Sequence, residues 1–164
     1  MKNLTKLTLV AVALFTVGNA QAANTQLSGF VAPVCEVTGL ASQFDFGAPQ
    51  AGETLIDVPV FFRCNDGDGA FVELRSSEGG LESDDNEDIN YDYTAQVAAP
   101  EAGLNLSLTT ADGIGPNDQS VTAELGGSAA LAGGVTGGLR VTLNETPVFA
   151  GGYSDTLAVD ITAQ

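Results

Sequence analysis

Histidine and tryptophan are absent from this 164-residue chain, methionine occurs once, and lysine and arginine together number five. Without histidine, a nucleophilic serine has no ordinary general base, and zinc loses its commonest nitrogen ligand. Without tryptophan, the commonest sugar-stacking surface is missing. Both lysines, Lys2 and Lys6, stand at the start of the chain, which leaves Arg63, Arg75 and Arg140 as the only later cations against 21 acidic residues. Such a balance repels nucleic acid and anionic membrane, so neither is expected as a partner. No run after the first 22 residues approaches the ~20 apolar residues of a membrane span.

What the N-terminus does have is a leader pattern. Lys2 and Lys6 precede the apolar run LTLVAVALFTV, and Ala20-Gln21-Ala22 supplies a small-x-small cleavage site. Residues 1–22 are therefore expected to be a secretory signal peptide, leaving 142 residues as one exported domain. Removing the two leader lysines moves the formal net charge from −16 to −18. The remaining chain, having no lysine, cannot form the Lys-Asn isopeptide bonds of sortase-assembled pilins.

Cys35 and Cys64 are the two cysteines. In an oxidising compartment they are expected to form one disulfide, and closing a loop of about 30 residues stabilises a fold by about 3 to 4 kcal/mol on the chain-entropy model. No cofactor is expected, and two sulfurs without histidine make a poor metal site.

Elsewhere the chain reads as strands and turns. In LIDVPVFFRC, Ile56, Val58, Val60, Phe62 and Cys64 share one face. NDGDG follows as a turn into AFVELRS, where Val72 and Leu74 share a face, and the pair is expected to form a hairpin. Further strands are expected over residues 89–97, 104–110, 119–125 and 138–144, with 126–138 as a long surface loop. At the end, Leu157, Val159 and Ile161 alternate with Ala158, Asp160 and Thr162. Short strands at this spacing describe an all-β chain, a Greek-key β-sandwich. The last of these strands raises the question of what pairs with its outer edge, since unpaired backbone groups invite another chain.

Two acidic stretches have residues that could carry chemistry. ESDDNEDINYD, residues 82–92, carries six carboxylates in eleven residues and reads as a solvated loop before a strand rather than a calcium site. DGDG at 66–69 opens like a calcium loop but lacks the spaced third ligand and the distal glutamate. No pair of carboxylates is marked out for glycoside cleavage, and the chain is not expected to be an enzyme.

Taken in order, CEVTG near the start of the exported chain, FDFG at 44–47, a strand ending in Cys64, INYDY, and FAGGYSDTLAVDITAQ at the end resemble the spore coat protein U-like domain family. Its members include the major subunits of archaic chaperone-usher pili. The resemblance spans the chain after the leader, and its most specific piece runs from Ala150 to Ile161. It implies a single incomplete immunoglobulin-like β-sandwich lacking its last strand, with Leu157, Val159 and Ile161 at the edge of an open acceptor groove. A periplasmic chaperone fills that groove first, and the N-terminal extension of the next subunit replaces it at an outer-membrane usher. On this reading residues 34–164 form the pilin domain and 23–33 the donor strand, with Thr25, Leu27, Gly29 and Val31 as its inserting face. Eleven extended residues reach about 36 Å, enough to cross a neighbour. The expected function is a structural subunit that polymerises on the cell surface in attachment and biofilm formation. The alternative is a self-complemented secreted β-sandwich acting as an adhesive or ligand-binding module.

Overall fold

In a computed structural model, the described residues are 25–41, 43–52, 58–111 and 118–164, in two units divided after Val31. The expected leader, Ala23, Ile56 and Asp57 lie outside the described residues. In the first unit, residues 25–31 form no strand.

The second unit, Ala32–Gln164, is all-β with antiparallel sheets. One sheet orders five strands as β1 (Cys35–Thr38), β2 (Val58–Cys64), β9 (Val135–Leu143), β6 (Tyr93–Ala99) and β7 (Leu104–Thr109). A second orders β11 (Leu157–Ala163), β3 (Ala70–Ser76) and β8 (Gln119–Leu125). A small third sheet joins β10 (Tyr153–Ser154), β4 (Leu81–Ser83) and β5 (Asn90–Tyr91).

Side-chain parity explains why two sheets make one core. In β2, Val60, Phe62 and Cys64 are fully buried while Pro59 and Arg63 face water. In β3 the buried set is Ala70, Val72 and Leu74, with Phe71 and Arg75 outside. Leu104, Leu106 and Leu108 of β7, Leu139, Val141 and Leu143 of β9, and Val159 and Ile161 of β11 join the same apolar cluster. Each fully buried Val, Leu or Phe contributes about 1.5 to 3 kcal/mol against exposure, and one residue of register slip would turn the whole face out to water.

The expected hairpin between β2 and β3 does not form. β2 pairs with β1 and β9, whereas β3 pairs with β8 and β11, so NDGDG carries the chain from one sheet to the other. Period-two alternation reports which face is buried, and both strands obey it, but it cannot tell a reversal within a sheet from a crossing of the ~10 Å between sheets. Gly69 makes the crossing possible: its φ is +122°, and a Cβ there would strike the Leu125 carbonyl oxygen. Asn65 secures the other end, accepting from Val34 N at 2.6 Å and donating to Ala32 O at 3.3 Å.

Two further expectations are corrected. The run 89–97 is broken at Asp92 into β5 and β6, which belong to different sheets, and the Asp92 carbonyl accepts from Asn144 N at 2.9 Å. The stretch 126–138 is not a surface loop throughout. Ser128 caps a short helix, α1 (Ala129–Gly133), by accepting from Leu131 N at 3.1 Å, and Leu131 is fully buried. β9 then begins at Val135 and runs through Gly137, where a Cβ would strike the Ala98 carbonyl oxygen. Here the glycines mark a close approach of two backbones, not a loop.

The disulfide forms as expected. Cys35 and Cys64 are bonded, and they stand directly opposite one another in the β1–β2 ladder. Cys64→Ser should lower stability by about 2 to 5 kcal/mol, read as a shift of the urea midpoint, and reduce the exported yield; free thiols titrating in the native exported protein would contradict the bond.

Candidate functional site

Among the described residues, β11 pairs with β3 and with no other strand. Seven consecutive pairs, Leu157↔Ser76 to Ala163↔Ala70, fill that one side. Half of the backbone groups of β11 therefore point away from its ladder, on the strand's other edge.

Next to the start of β11 lies a groove of about 500 Å³. Tyr93 from β6, Leu139 and Val141 from β9, Tyr153 to Leu157, and residues 43–47 all line it. Three stretches far apart in sequence, FDFG, INYDY and YSDTL, thus meet in one place. Of the expected acceptor-edge residues, Leu157 lines the groove half-buried, while Val159 and Ile161 are buried in the core further along the strand.

Asp155 organises the groove's polar end. Its Oδ2 accepts from Ser76 Oγ and from Tyr93 Oη, each at 2.6 Å, and its Oδ1 accepts from Glu78 N at 2.9 Å. One carboxylate thereby ties β3, β6 and the turn leading into β11. Charge-assisted bonds of this kind are about twice as strong as neutral ones. Tyr93 is itself set in place at the head of β6, where its N–H donates to Thr110 Oγ1 at 2.8 Å and its carbonyl accepts from Thr110 N at 2.9 Å. Burial, reinforced by the Asp155 carboxylate, drives the Tyr93 hydroxyl well above the usual phenol range.

A second aromatic cluster braces the loop before β10. Tyr91 and Tyr153 meet edge to face with centroids 5.2 Å apart. Tyr91 Oη accepts from Val148 N at 3.0 Å, and Tyr153 Oη donates to Phe149 O at 2.6 Å. Neither the Asp155 cluster nor this pair was singled out from composition or spacing. The available signal was YSDT itself, whose aspartate falls in phase with Tyr153, Leu157, Val159 and Ile161, a carboxylate at an inward-facing position.

The acidic stretch 82–92 wraps the β4–β5 connection. Asp84 N donates to Gly152 O at 2.9 Å, Ser154 Oγ donates to Asp84 Oδ1 at 3.3 Å, and Asp88 N donates to Asn86 Oδ1 at 3.1 Å. These bonds stabilise a turn, and among the described residues no three acidic, histidine or cysteine side chains are grouped to hold a metal. In the first unit, the expected donor residues Thr25, Leu27, Gly29 and Val31 are all exposed, Leu27 at 90% and Val31 at 81%, and Phe30 on the opposite face stands at 88%.

No family model, curated protein or solved structure matches the chain, so its site is read from its own residues.

The Tyr93 linkage fixes the sign of an alkaline effect. With its hydroxyl raised above the ordinary value of 10.0 in the fold, the unfolded chain loses this proton first. Its contribution is complete below pH 10 and falls away as pH rises beyond it. Urea midpoints should therefore drop above pH 10, and Tyr93→Phe should flatten that drop while lowering neutral-pH stability by about 1 to 2 kcal/mol. For the acidic turn, millimolar Ca²⁺ should leave the melting temperature unchanged; a rise of several degrees that Asp84→Asn with Asp85→Asn abolishes would make the turn a calcium site.

Proposed function

We propose that the chain is a non-enzymatic structural subunit of a chaperone-usher type surface fibre, exported through the periplasm and assembled by strand addition between copies. The observation that carries this reading is the one-sided ladder of β11 beside a groove of mixed polar and apolar lining. The exposed apolar residues of 25–31 offer a strand to fill such an edge. On this view the fold is an immunoglobulin-like sandwich one strand short. Strand addition satisfies the free backbone groups of β11 through main-chain hydrogen bonds, while alternate side chains enter the groove.

The resemblance to the spore coat protein U-like family supports the same reading, because the pieces that carry it, FDFG and YSDTL, are those that line the groove. Assembly then needs a periplasmic chaperone to cover the groove before a donor arrives and an outer-membrane usher to order the exchange. Attachment and biofilm formation follow as the role of the resulting fibre.

Burying Leu27 or Val31 in a neighbour contributes about 1.5 to 3 kcal/mol each, added to the backbone ladder. Leu27→Asp, Gly29→Arg, or deletion of residues 23–31 should leave a subunit that folds but does not polymerise, as read by size exclusion and electron microscopy. Fusing residues 23–31 after Gln164 through a short flexible linker should yield a soluble monomer. Fibres from the deletion variant, or a stable monomer from the unfused chain starting at residue 23, would overturn the proposal; the latter would point to the self-complemented adhesive or ligand-binding module.

A further inference from the structure

The chain following β1 lines the groove without joining any ladder. Gln43, Phe44, Asp45, Phe46, Gly47 and Pro49 all face it, yet none belongs to a strand. Phe46 is half-buried and packs on the core cluster, while Phe44 remains exposed. The hydrogen bonds that tie this segment lie at its end, where Gly52 N donates to Leu143 O at 2.8 Å and Ala51 N to Thr146 Oγ1 at 2.9 Å. Within it, Gly47 N donates to Asp45 Oδ1 at 2.7 Å, a turn that closes on itself. Gly47 and Gly52 adopt φ of +65° and +79°, so both bends use left-handed backbone. No backbone ladder holds these residues; the packing of Phe46 on the core cluster does.

Of β11 only Leu157 lines this groove, so a strand added at the start of that strand's outer edge enters it beside residues 43–49. We infer, resting on the strand-addition reading above, that residues 43–49 are a displaceable strap: Phe46 walls the groove of the unassembled subunit, narrowing it, and leaves when the N-terminal strand of a second copy enters. The exchange replaces one apolar anchor by another. The incoming segment, residues 23–33, carries no charged side chain and suits the vacated surface. Such a strap shields apolar surface before assembly and weakens a premature partner by the fraction of subunits whose strap is closed. Loss of the strap's aromatic anchor removes that competition.

The test uses the chain starting at residue 23 with Leu27→Asp, so that it cannot supply its own strand, and 4-fluorophenylalanine placed at position 46 alone. A synthetic peptide of residues 23–33 is the probe, followed by fluorine NMR. Binding should move the position-46 resonance to its solvent-exposed value, and Phe46→Ala should tighten peptide binding about tenfold. Peptide binding that leaves the resonance in place, or an affinity unchanged by Phe46→Ala, overturns the strap and leaves strand addition standing. No peptide binding at all overturns both.

Discussion

A β-strand buried on one face must also settle both of its edges, and this constraint organises the molecule around β11. Its face is settled by Val159 and Ile161, which enter the shared core. One edge is settled by the seven-residue ladder to β3. The other carries no ladder among the described residues, although β1 passes close to β11 without pairing with it. Beside it stand the groove, the Asp155 cluster and the residues that follow β1. β1, β7 and β8 end their sheets in the same way, each with one ladder partner among the described residues, so what distinguishes β11 is the groove at its start.

The polar end of the groove and its apolar walls serve different purposes. Leu139, Val141 and Leu157 offer non-directional attraction, which tolerates several occupants of similar size. Asp155 offers the opposite, since its two oxygens already accept three bonds from fixed donors. It therefore acts on geometry: by joining Ser76, Glu78 and Tyr93 it sets where the chain turns into β11, and so where the free edge begins. The surface charge is a separate matter. With 21 acidic residues and few cations, the chain repels other acidic surfaces at long range, an effect that salt screens.

How far this was legible in the sequence depends on the range of the interaction responsible. Strands β2, β7, β8 and β11 were readable from alternation alone, because each carries one apolar face and water on the other. The disulfide was readable from compartment and count. Sheet membership was not, because NDGDG is compatible with a reversal or a crossing, and the choice rests on the close fit of Gly69 against Leu125, 56 residues later. Likewise Gly137 looked like loop and is strand, for a reason that lies in Ala98 of a neighbouring strand. The groove was half legible: FDFG and YSDTL stood out as stretches, but their meeting beside Tyr93 is a product of packing between distant segments.

The placement of the disulfide completes the physical picture of the open side. β1 is a four-residue edge strand, with β2 as its ladder partner, and a ladder that short holds poorly by itself. The Cys35–Cys64 bond lies at one end of that ladder, and the pair Thr38↔Phe61 at the other leads directly into residues 39–52. At its far end this segment is pinned by Gly52 N to Leu143 O. The covalent bond therefore separates two costs that would otherwise be linked. Moving residues 43–49 off the groove gives up the apolar contacts of Phe46, but the strand before them is held by a bond that does not open with them. An opening confined in this way costs only the contacts of one half-buried aromatic and its neighbours, a scale that burial of a single incoming side chain can match.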